Sequence, residues 1–349
     1  MTISAHPVRH TEASALGIVS TQPEISPLEL PGTSTSPQPS IIALEEGDSL
    51  LIKTRELMAD GFAGVILSGP PGTSKSWNAK KLAVAIASPK QECVRFVQFH
   101  PSYQYEDFME SYEPTDAGGF KPKPRTFLSL CEAAVSQPDL QFVLVVDELS
   151  RCDAVRVFGE ALTYLEKSQR NIEFELSSGR RVLIPDNIFI IATMNPWDRG
   201  VDELDMAFER RFAKIAMEPN ADILEEMLRS NGLDEIQMRR TVAFFRALQK
   251  HGNAFARIGH AYFARVKSTD ELQRLWDHQL RFHFEKAFRQ NPAEHQRLHS
   301  SWENIFRAED EVNRAKPSEP PVALEQAGGA PIATAPGNAV AAATQPSQG

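Results

Sequence analysis

The sequence predicts an α/β fold, a wound parallel sheet followed by an all-helical segment. Three observations carry the prediction. Short β-branched runs alternate with amphipathic helical stretches from Ser49 to about Pro219, the pattern of a sheet covered on both faces. A glycine-rich turn follows the first of those runs directly and opens a helix. Beyond Pro219 the β signal vanishes and only helical periodicity continues.

The strand runs are GVILS (64–68), VRFVQF (94–99), FVLVV (142–146), IFIIAT (188–193) and AKIAM (213–217). Each is short, apolar and bounded by polar or turn residues, as strands buried on both faces are. Between them WNAKKLAVAIA (77–87), RTFLSLCEAAV (125–135) and VRVFGEALTYLEK (155–167) have helical apolar spacing, each read as one helix. IEFELSSGRRVLIPD (172–186) reads as two β runs joined by Ser-Ser-Gly, a hairpin inserted into the core. NADILEEMLRSNG (220–232), EIQMRRTVAFFRALQKHG (235–252) and TDELQRLWDHQLRFHFEKAF (269–288) complete the helices.

The flanks differ in composition. The first forty or so residues are rich in Ser, Thr and Pro, and the end is rich in Ala, Pro, Gly and Gln, neither able to bury enough surface to offset its ordering entropy. The expected division is a disordered tail over 1–43, an α/β core over 44–219, a helical lid over 220–315 and a second disordered tail over 316–349.

At 349 residues, 42% hydrophobic and 24% charged, the chain is long enough to bury a full core. A formal charge of -9 argues against a general electrostatic grip on nucleic acid, so any DNA contact is expected to be local or made through a partner. Cys93, Cys131 and Cys152 have neither disulfide-framework nor zinc spacing and read as free thiols in a reducing cytoplasm. No apolar run is long enough for a bilayer and no secretory signal opens the chain, so a soluble cytoplasmic protein with no membrane partner is expected.

The chemistry concentrates in four places. GPPGTSKS, residues Gly69, Pro70, Pro71, Gly72, Thr73, Ser74, Lys75 and Ser76, has the strand-turn-helix context of a phosphate-binding loop. Backbone N–H groups there would face phosphate oxygens, Lys75 would reach the β and γ phosphates, and the Ser76 hydroxyl would ligate magnesium. Ser74 stands where the pattern G-x-x-x-x-G-K-[ST] asks for glycine. FVLVVDELSR then brings Asp147 and Glu148 to the carboxyl end of a strand, where open α/β sheets bind ligands. Asp147 suits the magnesium shell and Glu148 the activation of an attacking water. IFIIATMN ends at Asn195, whose neutral amide can hold that water or the γ phosphate. ERRFAKIAM carries Arg210 and Arg211 just before the last strand. An arginine there can enter a neighbouring subunit's site, although such a pair can equally serve surface carboxylates.

The order of these motifs resembles the AAA+ superfamily and, within it, the McrB-like branch. The stretches FHPSYQYEDFMESYEP (99–114), DELSRCDAVRVFGEALTYLE (147–166), ATMNPWDRGVDELDMAFERRF (192–212) and IGHAYF (258–263) carry the likeness, which covers roughly 49–288. It implies a P-loop NTPase core with a parallel five-stranded sheet ordered 5-1-4-3-2 and a C-terminal helical lid, closing into rings, hexamers by expectation, with nucleotide between subunits. It further implies ATP or GTP with Mg2+ as cofactors, ATP favoured, and hydrolysis at Asp147 and Glu148. Asn195 matches the sensor asparagine, Asp198 and Arg199 the charged pair of the M-N-x-x-D-R block, and Arg210 or Arg211 the finger. The sequence departs from the branch at Ser74, at Ser150 in DELSR where asparagine is usual, and at Pro196 and Trp197. The segment before the motor carries no recognisable DNA-reading element, so a separate effector such as a nuclease is the expected partner. A MoxR-like chaperone that remodels a protein partner is the alternative.

His100, Tyr103 and Tyr105 lack a second ligand at metal spacing and read as a packed loop, while His260 reads as a structural or nucleotide-sensing histidine of the lid. His278 and His283 are not placed as a ligand pair on one helix face.

Overall fold

The computed structural model describes residues 42–116, 118–196 and 204–307. Most of both expected tails, together with Trp197, Asp198 and Arg199, lies outside those residues. The elements run, in chain order, α1 (Ser49–Ala59), β1 (Gly64–Ser68), α2 (Lys75–Ile86), β2 (Val94–Gln98), α3 (Tyr105–Phe108), β3 (Glu110–Pro114), β4 (Phe120–Pro124), α4 (Thr126–Ser136) and β5 (Phe142–Asp147). They continue as α5 (Ala154–Phe158), α6 (Ala161–Tyr164), β6 (Phe174–Glu175), β7 (Arg181–Val182), β8 (Ile188–Met194), α7 (Met206–Glu209) and β9 (Phe212–Ala216). Five helices follow: α8 (Ala221–Ser230), α9 (Glu235–Gln249), α10 (Thr269–Leu275), α11 (Arg281–Ala287) and α12 (Pro292–Glu303). The contacts divide the chain into an α/β unit, up to Gly69 and from Ser74 to Met217, and a helical unit from Glu218 onward that also takes in Pro70–Thr73.

The α/β unit is built on one five-stranded parallel sheet in the order β2-β5-β8-β1-β9. Counting only those strands along the chain and reading from the far edge, this is 5-1-4-3-2, the order the family resemblance implies. The central strands are the most apolar runs because both faces are covered: every residue of β8 is buried, and every residue of β5 up to Asp147. The edge strand β2 instead leaves Phe96 exposed beside the Lys80 ammonium. Gly64 in β1 is required by close approach, since a Cβ there would sit 2.2 Å from the Ile190 carbonyl oxygen of β8. Two cores result, one of aliphatic side chains under α1 and α2 with Leu51, Leu82, Val145 and Ile191, the other strongly aromatic. In the aromatic core Phe108 stacks on Phe127 at 5.1 Å, and Phe158 meets both Phe108 and Phe208 edge-on.

Three readings of the sequence need correction. VRVFGEALTYLEK is not one helix but α5 and α6, broken at Gly159, which has φ +50° and would drive a Cβ to within 2.7 Å of the Tyr105 ring. Tyr105 opens α3 and so stands outside the expected loop, while Tyr103 before it stacks on Phe99 at 4.9 Å, with its hydroxyl pushed up to about 12 by burial. TDELQRLWDHQLRFHFEKAF is interrupted by a π-turn over Trp276–Leu280 that separates α10 from α11. The third correction is an addition: β3 and β4 form an antiparallel hairpin that the periodicity did not announce. Pro114, Pro122 and Pro124 punctuate it, and prolines demote a run as strand even where, as here, it is an isolated ribbon with open edges. The expected second hairpin is present as β6 and β7, only two residues each. Its base is tied by the buried Arg170 guanidinium, which donates to the carbonyls of Leu165 and Pro185 at 2.9 and 3.1 Å.

In the helical unit, α8 begins at Asn220, whose side chain accepts from the N–H groups of Asp222 and Ile223. Leu224 and Leu228 on α8 and Met238, Val242, Phe245 and Leu248 on α9 supply one apolar face each to a common core. That core is closed by Trp276 and Trp302, stacked at 5.0 Å. Among the described residues no helix is long and apolar enough to cross a membrane.

Candidate functional site

At the carboxyl end of β1 the chain turns at Gly69, where a Cβ would lie 2.2 Å from the Met217 carbonyl oxygen, so only glycine lets the two chain segments approach. Lys75 opens α2 and its ammonium donates to the Gly69 carbonyl at 2.9 Å, folding the side chain back along the turn. Ser74, the helix N-cap, has φ +61° and ψ +24°. This left-handed backbone is why glycine is usual at that position, and it makes Ser74 a strained replacement. Ser74→Gly is expected to relieve about 1–2 kcal/mol of strain and to lose about 0.5–1 kcal/mol through the freer unfolded chain. The net outcome is a small rise in the urea midpoint; a midpoint below wild type would show that contacts of the serine side chain outweigh the strain.

Next to that helix start, Ser76 Oγ donates to Asp147 Oδ1 at 2.7 Å, joining the turn after β1 to the end of β5. Thr193, near the end of β8, donates to the same carboxylate oxygen and accepts from the Glu148 N–H at 3.1 Å. Sequence reasoning passed over Thr193. Its signal was a lone hydroxyl in the run IFIIAT, two residues before Asn195 and so on the same strand face. Thr193 is 1% exposed, and Thr193→Val removes a donor to the half-buried Asp147 carboxylate and an acceptor for the Glu148 N–H at once. A loss of about 1–3 kcal/mol is expected, with Thr193→Ser close to wild type, as read by denaturant unfolding.

Glu148 also stands in the left-handed region, φ +58° and ψ +45°. A non-glycine residue there costs about 1–3 kcal/mol and persists only where its surroundings hold it, a pattern concentrated at functional sites. Here the Thr193 hydroxyl holds the N–H while Arg151 pairs with the carboxylate at 3.4 Å. Asn195 is buried at the end of β8. Ser150 is buried as well, and its hydroxyl has no hydrogen-bond partner among the described residues, which is where the departure from asparagine leaves its mark.

Arg210 and Arg211 differ sharply in setting. Both lean on Glu166, at 3.4 and 3.8 Å, but the Arg210 side chain is 64% exposed and that of Arg211 only 5%. Burial, then the Arg210 charge, holds Arg211 below the ordinary arginine range, and Glu166 opposes the shift. Asp198 and Arg199 lie outside the described residues.

In the helical unit's share of the turn, the carbonyls of Pro70, Pro71 and Gly72 all accept, from Thr73 Oγ1, Gly259 N–H and Ala261 N–H. The N–H groups of Gly72 and Thr73 donate to no acceptor among the described residues. Gly72 has φ +78° and Ser74 φ +61°, and alternation between right- and left-handed residues is how a chain turns successive N–H groups toward one anion.

A parallel sheet in this order, with a glycine turn after its first strand and a hydroxyl-carboxylate contact at its carboxyl edge, has the fold of an AAA+ P-loop NTPase core. Residues 64–212 match the family of AAA domains of the dynein-related subfamily. The α/β unit is also similar to restriction-enzyme subunits of the McrB-like kind. It is 36% identical over 165 residues to the Type IV methyl-directed restriction enzyme EcoKMcrB subunit of Escherichia coli strain K12, covering 45% of this chain and 36% of that one. It is 26% identical over 188 residues to the Type II restriction enzyme BsuMI component YdiS of Bacillus subtilis strain 168, covering 42% of this chain and 55% of that one. The chain thus spans 36% to 55% of the length of these curated relatives.

Proposed function

We propose that the chain hydrolyses a nucleoside triphosphate, ATP in preference to GTP, with Mg2+, as the oligomeric motor or switch subunit of a DNA restriction system. The observation that carries this reading is the 2.7 Å hydrogen bond between Ser76 Oγ and Asp147 Oδ1. It brings together two hard oxygen donors of the kind magnesium takes alongside phosphate oxygens. Ser76 and Asp147 would hold the magnesium, whose positive charge would offset the negative charge of the transferred group. The N–H groups of Gly72 and Thr73 and the Lys75 ammonium would bind the phosphates. Glu148 would accept a proton from the attacking water while Asn195 orients it. Arg210 would act on the site of a neighbouring copy, in a ring whose hexameric state is carried over from the resemblance. The named relatives are restriction components, which supports a separate nuclease as effector and DNA contact through that partner.

Phosphate release from ATP and from GTP, measured at protein concentrations high enough for self-association, tests the reading. Turnover is expected with magnesium and none in excess EDTA. Absence of magnesium-dependent affinity for either nucleotide would overturn it, and a methylated-DNA dependence that appears only with a co-purified partner would place the effector.

A further inference from the structure

The IGHAYF segment is tied to the glycine turn by its main chain. Gly259 N–H donates to the Pro71 carbonyl at 2.9 Å and Ala261 N–H to the Gly72 carbonyl at 2.8 Å. The two backbones meet so closely that a Cβ on Gly259 would lie 1.9 Å from Gly72 O and 2.4 Å from Thr73 N. Gly259 has an ordinary φ of -85°, so space and not backbone freedom demands glycine there. From the other side, the Tyr262 ring fills the volume a Gly72 side chain would need, with Cδ2 2.5 Å from the Cβ position. Between them His260 is buried, and its Nδ1 accepts the Asn220 N–H at 3.4 Å, at the cap of α8. The turn therefore gives the Pro71 and Gly72 carbonyls to the IGHAYF segment, while the N–H groups of Gly72 and Thr73 donate to no acceptor among the described residues. The chain enters and leaves Pro70–Thr73 from the α/β unit, while the segment itself groups with the helical unit.

We propose that Gly259 and Tyr262 are positioning residues for the phosphate-binding loop, so that the helical unit senses nucleotide through the main chain of Pro71 and Gly72. The proposal rests on the reading that this loop binds a triphosphate. An anion drawn onto the Gly72 and Thr73 N–H groups polarises and reorients the same peptide units whose carbonyls the IGHAYF segment holds. Conversely, whatever displaces IGHAYF displaces the donors, and misplacement by about 1 Å costs on the order of a hundredfold in such sites.

The test uses the full chain and three variants, Gly259→Ala, Tyr262→Ala and Tyr262→Phe, with Mg2+ and ATP or GTP as the probes. Thermal unfolding first establishes which variants are folded; should Gly259→Ala fail, the tyrosine pair carries the test. Tyr262→Ala is expected to raise the nucleotide Kd by about tenfold or more with a smaller effect on turnover at saturation, and Tyr262→Phe, which keeps the ring, to restore binding. Without nucleotide, hydrogen exchange in peptides covering 69–76 should accelerate in Tyr262→Ala and in a folded Gly259→Ala. In wild type, nucleotide should slow exchange at 258–263 as well as at 69–76. Protection at 69–76 alone, or wild-type Kd in Tyr262→Ala, would overturn the coupling and leave the nucleotide site standing. Tyr262→Phe behaving like Tyr262→Ala would overturn the role of the ring. Protection at neither segment would overturn the nucleotide reading, while unchanged loop exchange in the nucleotide-free variants would overturn the positioning by itself.

Discussion

Glu148→Gln is expected to reduce turnover by about 10²–10⁴-fold while nucleotide affinity stays at or above the wild-type level. Glutamine keeps the length, the hydrogen-bonding oxygen and the tolerance of the backbone conformation, and loses only basicity. The Thr193 hydroxyl still receives the backbone N–H of residue 148, so the left-handed turn is preserved. What disappears is the carboxylate proposed to take the proton from water, along with the ion pair to Arg151. Phosphate release and equilibrium binding of a fluorescent nucleotide, measured on one preparation, separate the two effects. Equal turnover in the variant and wild type would move the general base to another residue.

The second large effect separates Arg210 from Arg211. Arg210→Ala removes an exposed side chain paired with the surface carboxylate of Glu166, so folding stability should change by less than about 1 kcal/mol. Turnover at saturating nucleotide should nevertheless fall by about 10³–10⁵-fold if, as proposed, the guanidinium acts on a neighbouring copy. Mixing Arg210→Ala with Lys75→Ala should recover activity, since the second variant contributes an intact arginine to the first one's intact loop. Arg211→Ala should behave otherwise: its side chain is buried and paired with Glu166, so lost stability is the expected phenotype. Recovery in the Arg211 mixture and none in the Arg210 mixture would reverse the assignment.

The five sheet strands were legible because β5, β8 and β1 are buried on both faces and must be continuous apolar runs. Asp147 and Glu148 were legible for the same reason, as the first charges after such a run. The β3–β4 hairpin was not: neither ESYEP nor FKPKP faces a core on either side for most of its length, so selection for apolar alternation is weak there. Gly159 was misjudged because a glycine inside a helical pattern is often tolerated, and only the Tyr105 ring, distant in sequence, makes it a break. Thr193 escaped because its worth lies in two partners on β5 and the turn after it, contacts that no local window contains. Ser74 went the other way: the sequence flagged a missing glycine, and the backbone angle supplies the reason.

The chain divides after Met217, a seam in the sequence, while Pro70–Thr73 groups with the later residues. A protein engineer who cut the gene at that seam would obtain an α/β fragment whose turn had lost both of its external amide tethers. Such a fragment would carry the whole nucleotide signature in its sequence and still present it in the wrong shape.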